Sequence, residues 1–504
     1  VSIADLLVAA AQGHTGRVAL KRHGQSLGYD DLAAICAAGA AELAATGAGH
    51  VVFVGVGSAA FPISMFSAAY AGLPFTPLNY RLAPDQIAAL VARLDRAVVL
   101  ADPEYLAEPA FTDAVGAVAV ALFDVASFVD GCEAARREAA PVAVDPGAPA
   151  IVLFTSGTTA TPKGVVLTHA NLDLTNSLLP FGFAAPTDAS LVATPPYHVI
   201  GVTAVFGALH AGRRQIFLGT FEPAAWLELA RAEEATSAAL VPTMLARLTH
   251  HLDGRVADVP TLRIIAYGGS KMPRPVLQRA LTVFPQVDFI QSYGLTETSA
   301  GITVLRPEDH RAALSTGDPK VAARLGSVGQ ALPGIELQVR NADGSVAPTG
   351  DTGELWVRGS KVSRAYLGTG SALDPEGWFP TRDMAYLDSD GFVFIEGRAD
   401  DVIIRGGENI APAEIEDVLV EHPAVEAVAV VGVPDEEWGE RVAAVVILAD
   451  GQHVEAEELR AFVRARLRGS RTPDEVVFRA ELPSTDTGKV QRRVLARELS
   501  APSR

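Results

Sequence analysis

The sequence predicts an α/β protein: a large N-terminal domain of parallel sheets covered by helices, a small β-rich subdomain, and a small C-terminal α+β domain. Three observations carry this. Between residues 51 and 300, short apolar runs alternate with Ala-rich segments at helical spacing, as parallel strands joined by helical crossovers do. After residue 325 turn residues crowd together and apolar residues alternate singly, which is a β-rich texture. Beyond residue 400, two helical stretches interleave with strand-like runs over roughly a hundred residues, enough for a compact unit. The expected boundaries are 1–399, with the β-rich part at about 325–396, and 400–504.

Taken in order, the strands fall at 51–56, 97–101, 150–154, 215–218, 238–241, 262–267 and 287–291, with helices at 84–94 and 223–234 among others. The longest uncharged stretch lies between His50 and Arg81. Its breakers Gly55, Gly57, Pro62, Gly72, Pro74 and Pro77 predict strand–helix–strand and not a membrane span. Alternation at 335–340 and 354–358 builds the β-rich part. The last unit has strands at 402–404, 425–433 and 441–448 and helices at 413–421 and 455–467. Thr194-Pro-Pro-Tyr-His198 and Tyr267-Gly-Gly-Ser270 are turns near strand ends, where open α/β sheets place ligands.

Composition limits the partners. At 504 residues the chain exceeds one ordinary core. Hydrophobic content of 49% with 20% charged residues describes a soluble globular protein. A net charge of −18 argues against nucleic acid or an anionic membrane as main partner. A nucleotide, which needs only a local basic pocket, is still allowed. Cys36 and Cys132 are the only cysteines, so no disulfide framework or thiolate metal site is expected, and a reducing cytoplasm fits. The amino terminus has neither basic flank nor long apolar run, so no signal peptide is expected there. Arg greatly outnumbers Lys, which occurs only at 21, 163, 271, 320, 361 and 489.

The stretch 150–164 concentrates chemistry. An apolar strand leads into Thr155, Ser156, Gly157, Thr158 and Thr159, then Pro162, Lys163 and Gly164. Glycine frees backbone N–H groups to turn toward an anion, hydroxyls add donors, and the Lys adds a point charge. It is no Walker loop, since Gly164 follows Lys163 and no helix starts there. Alone, the pattern serves equally as a polyphosphate cradle or as an exposed polar loop.

With Tyr293-Gly-Leu-Thr-Glu297, Trp378-Phe-Pro-Thr-Arg-Asp383, Gly397-Arg-Ala-Asp400 and Thr487-Gly-Lys489 added in order, the chain resembles the adenylate-forming superfamily, in particular its acyl-CoA synthetases. The resemblance covers nearly the whole chain. The family usually has Gly where this chain has Ala160 and Arg382, and basic residues near Asp474.

The resemblance implies ATP, Mg2+ and coenzyme A as cofactors and substrates. It implies Thr155, Ser156, Gly157, Thr158, Thr159 and Lys163 on the phosphates, Gly268, Gly269, Ser270, Gln291, Ser292, Tyr293 and Gly294 around the adenine, and Asp383 and Arg398 at the ribose. Thr296 is a phosphate donor, and Glu297 with Thr158 a hard-oxygen site for the metal. Lys489 is the catalytic cation that holds attacking carboxylate and α-phosphate together. Asp400 is the hinge on which the C-terminal domain swings. Gly406 and Gly407 line a pantetheine tunnel, and Trp438 stands near CoA or simply packs. His198, Val199, Gly201, Val241, Thr298 and Ala300 line the acyl pocket, with His198 otherwise a structural histidine.

The implied activity is AMP-forming ligation of a carboxylic acid to CoA. The candidate walls hold no Arg or Lys, so the expected acid is a fatty acid, with an aryl acid as alternative and a diacid disfavoured. Transfer to a carrier-protein thiol is a second reading, and a non-catalytic nucleotide- or acyl-binding homologue a third. The expected partners are small molecules, with no nucleic acid and no integral membrane segment. Monomer and homodimer are both open.

Overall fold

The computed structural model describes residues 2–155, 162–173, 184–406, 408–435, 437–449, 451–484 and 490–500. Four sheets organise them. The first runs in the order Ala121–Asp124, Ala97–Ala101, His50–Val54, Phe75–Pro77, Pro149–Thr155, Lys163–Thr168, and all pairs are parallel except the last. Its buried apolar strands match the continuous apolar runs of the sequence, because helices cover both faces of a parallel sheet.

The second sheet has nine strands. Its parallel centre is Asp288–Leu295, Ile264–Gly268, Ser237–Leu240, Ala189–Val192 and Arg214–Phe217. Ala300–Leu305 closes one side antiparallel. At the other side Val18–Arg22 runs parallel to Arg214–Phe217, and Gln25–Gly28 turns back on it. The first strands of the chain thus join a sheet whose other members lie more than 150 residues on.

The uncharged stretch is strand–helix–strand, as its breakers predict: His50–Val54, Ala60–Tyr70, Phe75–Pro77. The helix is buried on almost every side. Phe66 on it meets Phe206, on helix Val199–Ala211, edge-on at 5.8 Å, so one core spans material from both sheets. Burying a Phe of this kind stabilises by about 1.5–3 kcal/mol. No helix among the described residues is long and apolar enough to cross a membrane.

The β-rich part is a four-stranded antiparallel sheet of Ile335–Arg340, Gly353–Gly359, Phe379–Leu387 and Val393–Arg398. The carboxy-terminal part pairs the long strands Val425–Asp435 and Gly439–Leu448, with helices Pro412–Leu419 and Ala456–Arg464 on a core of its own.

Candidate active site

A cleft of about 1460 Å3 opens where the carboxyl ends of strands from both large sheets meet the β-rich and carboxy-terminal parts. Strand Pro149–Thr155 delivers Thr155, and strand Lys163–Thr168 starts at Lys163; the two residues are register partners. Both border the cleft. Ser156, Gly157, Thr158 and Thr159 lie outside the described residues.

The Lys163 ammonium stands 5.4 Å from the centre of the Tyr366 ring, an attractive cation–ring geometry. The Tyr366 hydroxyl donates to Glu297 Oε1 at 3.1 Å. Burial, and then the Glu297 charge, push this phenol well above its ordinary range, so it stays a protonated donor.

Thr296 and Glu297 sit on the short turn Thr296–Thr298, after strand Asp288–Leu295. Thr298 Oγ1 accepts from the Leu295 N–H at 2.9 Å and donates to the Ala300 carbonyl at 2.7 Å. Ser299 and Ala300 follow with φ of +51° and +71°, a conformation that non-glycine residues hold only when the surroundings enforce it. The result aims Glu297, Ala300 and Gly301 into the cleft. Thr298, expected on the acyl wall, is fully buried behind it because its hydroxyl ties the turn together.

Gly268 and Gly269 also border the cleft. A Cβ on Gly268 would lie 2.1 Å from the Ser292 carbonyl oxygen, and one on Gly269, at φ +88°, 2.9 Å from Ile200 Cδ1. These glycines therefore let neighbouring strand ends close on each other, besides leaving room for a base. Ser292 and Gly294 line the same wall. Ser270, Gln291, Tyr293 and Asp383 do not. Gln291 is buried and accepts from the Tyr267 hydroxyl at 3.3 Å. The Tyr293 hydroxyl donates to Asp383 Oδ2 at 2.6 Å, and Arg398 Nη1 donates to Asp383 Oδ1 at 2.9 Å. Each carboxylate oxygen of Asp383 thus has one protein donor and keeps capacity for another. Arg382, beside it, has φ +63°. That is the region glycine favours, which is why a Gly suits this position.

His198 immediately precedes helix Val199–Ala211 and lies 4.6 Å, ring to ring, from Tyr197. It borders the cleft with Val199, Ile200, Val241 and Met244. Gly201, expected beside them, is buried in the first turn of the helix, where a Cβ would come within 2.4 Å of the Pro195 carbonyl oxygen. Two residues that the motifs did not single out for the site border it as well, Tyr366 and Lys361. The scarcity of Lys was the available signal for the second.

The carboxy-terminal part reaches the cleft through one edge. Asp400 is exposed on the turn Ala399–Asp401 and borders the cleft. Its neighbour Asp401 pairs with Arg492 at 3.6 Å, and Arg492 also binds both Glu416 oxygens at 2.7 Å. Ser484 and Val490 bridge each other and border the cleft, whereas Lys489 between them lies outside the described residues. Gly406 and Trp438 do not border it. Gly406, at φ +57°, donates its N–H to the Trp438 carbonyl at 2.7 Å, and a Cβ there would meet the Trp438 ring at 3.0 Å. Trp438 is 46% exposed, with the Arg405 guanidinium 5.4 Å from its ring centre. Gly407 lies outside the described residues. Asp474 pairs with Arg405 and accepts the Val442 N–H at 2.8 Å, so its acidity serves the fold.

Residues 7–367 match the AMP-binding enzyme family, and residues 414–489 match the AMP-binding enzyme C-terminal domain. The chain is 34% identical over 481 residues to feruloyl-CoA synthase from Amycolatopsis sp, covering 94% of each. It is 33% identical over 496 residues to indoleacetate–CoA ligase from Aromatoleum aromaticum, covering 95% of this chain and 94% of the other. Among solved structures it superposes on o-succinylbenzoate CoA synthetase from Bacillus subtilis in complex with its acyl-adenylate intermediate, with TM-score 0.83, 29% identity and 97% of both chains covered. The same enzyme in complex with ATP and a magnesium ion gives TM-score 0.81 at 28% identity, covering 97% of this chain and 98% of that one.

Proposed function

This chain belongs to the AMP-binding enzyme family and is an AMP-forming acid–thiol ligase related to acyl- and aryl-CoA ligases, and from that premise we propose that it joins an aryl carboxylic acid to coenzyme A. One observation carries the reading. Lys163, Thr296, Glu297 and the residues bracketing 485–489 all border a single cleft, although they come from distant parts of the chain.

In the first half-reaction a carboxylate oxygen of the acid attacks the α-phosphorus of ATP, and pyrophosphate leaves. Lys163 and the Thr155–Thr159 loop hold the leaving phosphates, and Lys489 holds carboxylate and α-phosphate against their mutual repulsion. Arg398 and, behind it, Asp383 hold the ribose end, Tyr293 orients the Asp383 carboxylate, and the Gly268–Gly269 turn borders the adenine. Magnesium fits the residues present. Mg2+ is commonly held by one or two carboxylates plus substrate phosphates, and no larger group of His, Cys, Asp and Glu suited to a metal occurs among the described residues. Glu297, oriented by Tyr366, would hold it, with Thr158. When bound, the ion neutralises phosphate charge.

In the second half-reaction the CoA thiol attacks the adenylate carbonyl and AMP leaves, a displacement that the mixed anhydride makes facile. The carboxy-terminal part turns about Asp400 between the halves. That turn withdraws Lys489 and brings Gly406, Gly407 and Trp438 to the cleft, where the bare glycine backbone admits pantetheine.

The aryl assignment is supported by the relatives named for feruloyl and indoleacetate substrates. The fatty acid expected from the sequence is the competing substrate. An AMP-release screen over aromatic, linear and branched acids tests both, with CoA or a carrier protein as acceptor. The expected outcome is AMP release that needs both acid and CoA and is fastest with aromatic acids. A faster rate with long linear acids would reinstate the fatty acid, and acceptance of a carrier protein alone would remove CoA from the reaction.

A further inference from the structure

Of the lysines among the described residues, Lys361 is the one that is both buried and without an acidic neighbour. Lys21, Lys271 and Lys320 each pair with a carboxylate on the surface, and Lys163 is exposed at the cleft. Lys361 is 5% exposed and borders the cleft. Its ammonium donates to the Gly301 carbonyl oxygen at 2.6 Å. No carboxylate acts on it among the described residues, and burial alone pulls it down from the ordinary 10.5 to about 8.

The segment that carries it is fixed. Asn171 Nδ2 donates to the Ser360 carbonyl at 2.8 Å and the Val362 carbonyl at 3.1 Å. Ser299 Oγ donates to the Lys361 carbonyl at 3.0 Å, and the Ser363 N–H donates to the Glu297 carbonyl at 2.7 Å. The lysine is thereby clamped to the turn that carries Glu297, Ala300 and Gly301.

An ammonium has three donors, and Gly301 takes one. Burying a cation without an acceptor for the others is costly, and the cost is relieved when a ligand supplies one. Beside it, Ser292 Oγ sits 2.0 Å from where a Gly301 Cβ would stand. A hydroxyl and an ammonium therefore flank Gly301, on the cleft that Ile200, Val241, Gly269 and Ala300 also line.

We propose that Lys361 is a specificity-determining residue: its ammonium, positioned by the Gly301 carbonyl, receives an oxygen acceptor carried on the acyl part of the substrate, a ring hydroxyl or a second acidic group. The enzyme then selects oxygen-bearing acids over hydrocarbon acids of the same shape. This deepens the ligase reading and rests on it for the identity of the cleft. It also revises the expectation from the sequence that no Lys or Arg serves the acyl wall.

The test pairs acids that differ only in the oxygen: cinnamate against its ortho, meta and para hydroxylated forms, and octanoate against octanedioate. Affinity is read by calorimetry with AMP present, and turnover by AMP release. In the wild type, the best oxygen-bearing acid should be preferred about 10- to 100-fold, as for a hydrogen bond to a charged group. In Lys361→Met the preference should fall to near one while the parent acid keeps its affinity. Lys361→Gln, which retains a donor without charge, covers the case in which the Met variant does not fold. It should lose the preference for octanedioate and keep part of that for a hydroxyl, which separates the anionic from the neutral acceptor. A structural or phosphate-binding lysine would weaken all acids equally or raise KM for ATP with every acid, and either result overturns the proposal. So does a wild type that binds both members of every pair alike, even if it releases AMP. A binding preference that Lys361→Met abolishes, seen without AMP release for any acid, would support the recognition site and remove the ligase reading instead.

Discussion

The two ends of the cleft are built differently. At the end proposed for the phosphates, strand ends and the turn that follows present Thr155, Lys163, Thr296 and Glu297, and the Tyr366 ring lies against Lys163 while its hydroxyl orients Glu297. At the end proposed for the acid, helix Val199–Ala211 and strand ends supply Ile200, Val241 and Ala300, and the buried Lys361 has the Gly301 carbonyl as its acceptor among the described residues. The first end gathers a cation and hydroxyl groups of the kind a polyanion needs. At the second, two of the three ammonium donors have no acceptor among the described residues. A family chemistry can be fixed at one end of a cleft while the other end sets which acid enters.

The largest expected effect tests whether that acceptor is truly missing. Lys361 is depressed from 10.5 to about 8 in the folded protein, so between those values the unfolded chain binds more protons than the folded one. Stability should therefore rise with pH through this window and lie at its lower level below pH 8. Relative to Lys361→Met, which cancels the other titrating groups, wild-type stability should gain up to about 3 kcal/mol across the window. Urea unfolding of both proteins at a series of pH values measures it. A flat difference would mean that the ammonium already has a partner and that the two ends are alike.

Gly269 is next. Its φ of +88° strains any side chain, and a methyl group there would stand 2.9 Å from Ile200 Cδ1 and push that side chain aside. Gly269→Ala should carry about 1–3 kcal/mol of strain and raise KM for the acid about tenfold with KM for ATP nearly unchanged. Equal rises in both would show that the glycine turn serves the two ends together. The smallest effect belongs to Arg382, a non-glycine residue at φ +63° on the nucleotide side. Arg382→Gly should stabilise the protein by about 1 kcal/mol, visible as a higher melting temperature, with activity retained. Lower stability would mean that the Arg side chain, 3.8 Å from Glu354, contributes more than its backbone strain removes.

The same contrast decides what could be read from the sequence. Periodicity located the starts of seven strands in the two large sheets to within two residues, because buried parallel strands are short apolar runs between turns. It did not place Ala121–Asp124, Lys163–Thr168, Ala189–Val192 or Ala300–Leu305, and it stopped short of the end of Asp288–Leu295. It could not say that Val18–Arg22 belongs at the edge of the second sheet, since the partner Arg214–Phe217 is remote in the chain. The phosphate end was legible because its chemistry sits in contiguous motifs. The acyl end was not. Thr298 and Gly201 have residue types suited to a pocket wall, yet one ties a turn and the other packs under Pro195. Lys361 and Tyr366 come from a turn-dense stretch without periodicity, and only the folding of that stretch onto residues 297–301 makes them part of the site.

On the proposed mechanism a lysine from the carboxy-terminal part enters the cleft to activate the acid and leaves it for the thiol. The direct measurement is Lys489→Ala in the two half-reactions: acid-dependent exchange of labelled pyrophosphate into ATP, and conversion of a preformed acyl-adenylate to the CoA thioester. Exchange should fall about 100- to 1000-fold while thioester formation should stay within a few-fold of wild type. An equal loss in both, or exchange that persists undiminished, would contradict it.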